Sequence, residues 1–189
     1  MYATYNLASH SFFYDYDFAK GIEYTILGIQ QKHKTLKKLL GDCYRYGKLL
    51  PKNEEGALHW YREARAEDVS SAYLSIGDIY HDNKCYDEAI EEYNTGIEKG
   101  NNYGYYSLYK VYSNPEYPGY NLDEALYYLE KGVQKGSPSS MIQLAKMYLE
   151  GKGVVQDYTM AKELLEQAKA KEDLDANGYL ALFLFIPAY

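Results

Sequence analysis

Apolar residues in this chain fall in short blocks at helical spacing, separated by polar breaks. Leu36, Leu39, Leu40, Cys43 and Tyr44 share one face of a helix expected near Thr35 to Tyr46. Ala57, Trp60, Tyr61 and Ala64 share a face of a second, near Glu54 to Ala66. The two-block pattern then recurs on a nearly fixed lattice of small residues. Gly21/Gly28, Ala57/Ala64, Ala89/Gly96, Ala125/Gly132 and Ala161/Ala168 are pairs seven apart, at steps of 36, 32, 36 and 36 residues. Twenty residues after each first member stand Gly41, Gly77, Tyr109, Ala145 and Ala181. Residues seven apart lie two turns apart on one helix face, offset by only about 20°, and small side chains there admit a neighbouring backbone. A repeat of this period predicts an all-α fold. The expected architecture is an α/α superhelical solenoid of about five helix-turn-helix repeats plus a terminal helix. The expected units are about 3–34, 35–70, 71–102, 103–138 and 139–173, with a last helix near 174–186, all within a single repeat domain spanning 1–189.

Local signals agree with the lattice. Asp87, Asp123 and Asp157 precede expected second helices, where a carboxylate suits the helix dipole. Gly100 and Gly136 follow second helices, where a left-handed cap is wanted. From first-helix mark to second-helix mark the distance is 16 in three units but 12 between Gly77 and Ala89. The four missing residues therefore belong to the hairpin around His81 to Tyr86, while the turn between units keeps its length. A hairpin at the edge of a stack can vary; the turn that sets stacking cannot.

Composition changes this picture little. Hydrophobic residues are 47% and aromatics 16%, enough to fill a continuous core. A net charge of -7, spread evenly, leaves no basic stripe for phosphates, so nucleic-acid binding is not expected. Cys43 and Cys85 lack metal-ligand spacing and read as thiols in the packing. No secretory leader pattern, glycosylation sequon or membrane span is read from the chain, which points to the cytoplasm unless a signal has been removed.

Residues 144–168 run Leu-Ala-Lys-Met-Tyr-Leu-Glu-Gly-Lys-Gly-Val-Val-Gln-Asp-Tyr-Thr-Met-Ala-Lys-Glu-Leu-Leu-Glu-Gln-Ala. The Gly-x-Gly-Val turn, the Asp-Tyr and the paired alanines together resemble a Sel1-like repeat, the longer-loop relative of the tetratricopeptide repeat. Unit II resembles it through Leu40-Gly41, Tyr44, Gly47, Ala57, Trp60-Tyr61 and Ala64. Unit III has tetratricopeptide-like spacing, unit IV carries Tyr109 where a small residue belongs, and unit I is degenerate. The resemblance implies an α/α superhelix that serves as a protein-interaction scaffold, in a family whose members act as adaptors in membrane-associated degradation complexes, as bacterial signalling or secretion factors and as effectors of intracellular bacteria. A penicillin-binding branch with paired cysteines in each repeat is not matched by Cys43 and Cys85.

In such stacks the first helices line the concave face, which assigns candidate partner-binding residues by lattice position. They are Lys38, Asp42, Arg45, Asp78 and His81, then Tyr103, Tyr106, Lys110, Ile142 and Lys146. The expected face is acidic and mixed in units II and III, basic and aromatic in units IV and V, and suits a polarised protein or peptide segment. Tyrosine is abundant, 25 residues, with a surplus in unit IV. Most read as packing residues at lattice positions, and the surplus reads either as interface use or as codon bias.

No catalytic motif appears. His10, His33, His59 and His81 form no recognisable constellation, and no glycine-rich phosphate loop exists. Asp173 to Gly178 opens like a calcium loop, but Leu184 stands where its bidentate Glu belongs. No enzyme, metal or cofactor is expected. The apolar end, Tyr179 to Tyr189, leaves three outcomes open: a longer array, a partner, or self-association with a second copy. The leading functional expectation is a scaffold or adaptor; the alternatives are an inhibitor or immunity protein that neutralises a toxin or enzyme, and a host-directed bacterial effector.

Overall fold

A computed structural model describes residues 18–30, 34–47, 50–171, 176 and 178–180. Among them every regular element is an α-helix. These are α1 (Phe18–Gln30), α2 (Lys34–Tyr46), α3 (Glu54–Arg65), α4 (Ser70–Asp82), α5 (Tyr86–Glu98), α6 (Tyr103–Tyr112), α7 (Leu122–Gln134), α8 (Pro138–Glu150) and α9 (Tyr158–Lys169). They form helical hairpins, α2 with α3, α6 with α7 and α8 with α9, as the repeat requires. Ala176 and Gly178 to Leu180 are also helical. The rest of the apolar end, with Ala181, lies outside the described residues, as do His10, His33 and most of the calcium-like segment.

The chain divides into two compact units, Met1–Asn83 and Lys84–Tyr189. In the first, α1 packs on α2, α2 on α3 and α3 on α4. Leu36, Leu40 and Cys43 form one buried cluster, and Ala57, Tyr61, Ile76 and Ile79 another. In the second, α5 packs on α6, α6 on both α7 and α8, and α8 on α9. Its core joins Leu129, Met141, Leu144, Ala145, Ala161, Leu165 and Ala168.

The lattice is the packing. Both members of all five small-residue pairs are buried, and so are Gly41, Gly77 and Ala145. At Gly41 an added Cβ would lie 2.5 Å from the Tyr61 ring, so the glycine on α2 is the space that the tyrosine on α3 fills. Tyr109, the large exception, is half-buried.

The constant turn between repeats has one physical form. The amide five residues after the second small residue donates to that residue's carbonyl: Val69 to Ala64 at 3.1 Å, Asn101 to Gly96 at 2.9 Å, Ser137 to Gly132 at 2.8 Å. This is the six-to-one bond of a Schellman cap. The residue before the donor is left-handed each time: Asp68 (φ 56), Gly100 (φ 87) and Gly136 (φ 76). The two glycines match expectation. Asp68 takes the same role without glycine, because a short polar side chain tolerates this conformation.

The long hairpins also share a closure. The N-cap amide of each second helix donates to the carbonyl of a tyrosine three residues past the first-helix mark. The bonds are Asn53 to Tyr44 (3.0 Å), Asn121 to Tyr112 (2.9 Å) and Asp157 to Tyr148 (3.1 Å). The cap side chains then hold the helix start. Asp157 accepts from Thr159 N and Met160 N, and Asn121 from Asp123 N and Glu124 N. Asp157 is thus the expected cap, whereas Asp87 and Asp123 lie inside the first turn, still at the positive end of the dipole. Between α4 and α5 only Asn83, Lys84 and Cys85 intervene, which locates the four-residue deletion. Asp157→Ala is expected to cost ~1 kcal/mol, read as a lower urea midpoint with an unchanged m-value.

Candidate functional site

The expected inner-face residues divide between the two units and behave differently in each. In the first, they are knitted together. Lys38 donates to Asp42 Oδ2 at 2.7 Å, and the Tyr61 hydroxyl donates to Asp42 Oδ1 at 2.7 Å. Arg45 reaches from α2 to α4, donating to Asp82 at 2.9 Å and to Asp78 and the Ser75 carbonyl at 3.4 Å. Its guanidinium also lies 5.4 Å from the Tyr46 ring centroid. Burial opposes its charge, but Asp78 and then Asp82 outweigh burial and hold its pKa up. His81 Nδ1 stands 3.8 Å from Asp82. The carboxylates of Asp42 and Asp78 are therefore engaged within the chain. Asp82, which completes the Arg45 bridge, was legible only as the residue one helical turn beyond Asp78.

In the second unit the first helices of two successive repeats, α6 and α8, lie side by side. Tyr103, Tyr106 and Tyr109 form a ladder along α6. The first two rings meet edge to face at 5.6 Å, and the next two stack at 6.0 Å. The Lys110 ammonium sits 5.6 Å from the Tyr106 ring centroid, and Lys146 sits 4.5 Å from that of Tyr179. Gln143 on α8 donates to the Tyr109 hydroxyl at 3.0 Å. Burial raises the pKa of Tyr106 while Lys146 acts to lower it, which places that ammonium's field on the ladder. Tyr103 is 40% exposed. Ile142 is 7% exposed and belongs to the core, because its position on α8 turns towards Leu129 and Leu165.

Tyr112, Tyr117, Tyr127 and Tyr128 form a second cluster at the α6–α7 hairpin, joined by Tyr86 from α5. Tyr112 stacks on Tyr128 at 5.3 Å, and Tyr117 lies against both Tyr86 and Tyr112. Burial, then Tyr112, pushes the Tyr128 hydroxyl up to about 12. Tyr117 donates to Asp87 at 3.4 Å, and Asn114 to the Tyr86 hydroxyl at 3.1 Å, so the long loop is folded back onto α5. Spacing did not reveal this cluster, because Tyr117 lies in a loop off the lattice. Cys43 is buried as expected and Cys85 is half-buried; no disulfide joins them. Among the described residues no His, Cys, Asp and Glu group could hold a metal ion, and no helix is long and apolar enough to cross a membrane.

A family model described as the Sel1 repeat matches residues 39–68, 101–137 and 138–173, more than half of the chain. The chain belongs to the Sel1 repeat family. The matched stretches contain the long hairpins closed onto Tyr44, Tyr112 and Tyr148, and the shortened hairpin lies outside them. Three solved structures share the fold. A Sel1 repeat protein from Oxalobacter formigenes aligns with TM-score 0.66 at 20% identity, over 92% of this chain and 75% of its own. A protective antigen of uropathogenic Escherichia coli aligns with TM-score 0.59 at 21% identity, over 87% of this chain and 36% of its own. An immunity protein from Pseudomonas aeruginosa aligns with TM-score 0.60 at 18% identity, over 80% of this chain and 57% of its own. The chain thus spans well under two thirds of the last two. Sel1 repeats are a non-catalytic, protein-interaction fold.

Proposed function

We propose that this chain is a non-enzymatic, cytoplasmic scaffold or adaptor of bacterial type that holds a segment of a protein partner on its inner helices. The observation that carries the reading is the Tyr103–Tyr106–Tyr109 ladder on α6 with Lys110 and Lys146 beside it. Tyrosines supply large, rigid contact area with a polar tip, and two ammoniums bias the face towards acidic partners. The first unit contributes a more self-contained surface, since Lys38, Asp42, Arg45 and Asp78 are already paired there. The test begins with affinity capture from the native cell and identification of the bound protein. The double variant Lys110→Glu/Lys146→Glu is expected to weaken that partner's binding at least about tenfold, or ~1.4 kcal/mol, with helicity unchanged. An unchanged affinity would remove this face from the function.

The second reading is an immunity protein, for which the fold shared with the Pseudomonas aeruginosa protein supplies a precedent. It requires the captured partner to be a toxin or enzyme whose activity falls on binding.

A further inference from the structure

The tyrosine face of the second unit runs, through Tyr109 and Lys146, into a pocket of about 420 Å³ between α6, α7, α8 and the Gly151–Gly153 turn. That volume lies within the range of pockets that enclose a ligand group. Leu122, Leu126 and Met147 give it an apolar wall, and Leu122 is 55% exposed there. No segment of the described chain fills it. Its polar lining is mixed: Gln143, Lys146 and Glu150 come from α8, Lys152 from the turn after it, and Asp123 from the first turn of α7. Glu150 is engaged by Lys152 at 2.6 Å.

We propose that this pocket is the anchor point of the partner segment: it receives one aromatic side chain whose neighbouring residues are acidic. The inference rests on the face reading above and names the chemistry that the face selects. An aromatic ring suits the pocket because Met147 offers its thioether and Tyr109 its ring. Lys146 lies on the pocket wall and Lys110 follows on α6, so carboxylates flanking the ring on that side meet two ammoniums. Asp123 on the opposite helix repels the same carboxylates, which fixes the direction in which the segment lies. Aromatic anchors seated in pockets carry much of the energy of such contacts, and the flanking charges add selectivity.

The test uses the full chain and three capped tripeptides, acetyl-Glu-Glu-Trp-amide, acetyl-Lys-Lys-Trp-amide and acetyl-Glu-Glu-Ala-amide, with the Met147 methyl resonance as readout. The expected result is a saturable shift with Glu-Glu-Trp and at least about tenfold weaker binding of the other two. Leu122→Trp, at an exposed position, is expected to fill the pocket and abolish the shift while helicity stays unchanged. Lys110→Glu, outside the pocket, is expected to weaken Glu-Glu-Trp without abolishing it. Equal binding of Glu-Glu-Trp and Glu-Glu-Ala, both weakened by Lys110→Glu, would overturn the anchor and leave the tyrosine face standing. No shift with any peptide, or equal shifts with all three, would overturn the anchor; indifference to Lys110→Glu as well would count against the face itself.

Discussion

Tyr61→Ala is expected to cost the first unit ~3–5 kcal/mol. Tyr61 is fully buried, packs with Ala57, Ile76 and Ile79, and fills the space that Gly41 leaves on α2. Its hydroxyl also ties α3 to Asp42 on α2 at 2.7 Å. A domain has only ~5–15 kcal/mol in hand, so the substitution removes a large fraction of it. Hydrogen exchange is expected to show α2, α3 and α4 losing protection together. Tyr61→Phe isolates the bond to the carboxylate and is expected to cost ~1.5–3 kcal/mol. Gly41→Ala places a Cβ against the ring in the parent chain, but against vacated space in the Tyr61→Ala background. The two changes are therefore expected to couple favourably by at least ~1 kcal/mol. Simple additivity would show that Gly41 and Tyr61 are not matched in size.

The pairing of Gly41 with Tyr61 explains why so much of the fold was legible. A stack of hairpins must bring helices close at a fixed interval, and only small residues permit it. The interval is therefore written in composition at Ala57, Ala64, Ala89, Gly96 and their successors, whichever residues surround them. The deletion in the third hairpin was legible for the same reason, as a change in distance between two marks. The caps were less so. Asn53 and Asn121 do for α3 and α7 what Asp157 does for α9, and acidic residues in the first turn obscured them. Asp68 was hidden because its left-handed turn is set by the Schellman bond from Val69 to Ala64, not by a glycine.

The helices that carry the candidate residues were legible, but the contacts those residues make were not. Lattice offsets place Lys38, Asp42, Arg45, Asp78, Lys110 and Lys146 on first helices. They do not reveal that Arg45 is shared between Asp78 and Asp82, or that Tyr61 occupies Asp42 from the second helix. Those contacts join residues about 20 to 40 apart through rotamers, which periodicity does not encode. Ile142 shows the same gap: its offset equals that of Tyr106, yet a branched apolar side chain on α8 is drawn to the core. The pocket beside Lys146 has no single-residue signature, because its walls come from three helices and a turn.

Raising the pH above 10 is expected to unfold the chain cooperatively, with Tyr61 as a leading cause. Burial, and next the charge of Asp42, raise its pKa far above the ordinary tyrosine value of about 10. The folded hydroxyl thus keeps its proton at a pH where the unfolded chain has lost it. Its contribution to stability is complete below pH 10 and falls as pH rises beyond that, by ~1.4 kcal/mol per pH unit. Between pH 10 and 12 Tyr61 alone then removes stability on the order of 2 kcal/mol. Tyr128, pushed up to about 12, and Tyr106, Tyr112 and Tyr117, also raised first by burial, act in the same direction. Phenolate absorbance followed with circular dichroism is expected to show two phases: exposed tyrosines ionising gradually, then the rest together with loss of helicity. Tyr61→Phe starts from lower stability, but its urea midpoint is expected to fall less steeply with pH, by one proton in the slope. An identical slope in parent and variant would show that the Tyr61 hydroxyl ionises as freely in the fold as in the unfolded chain and would overturn this account.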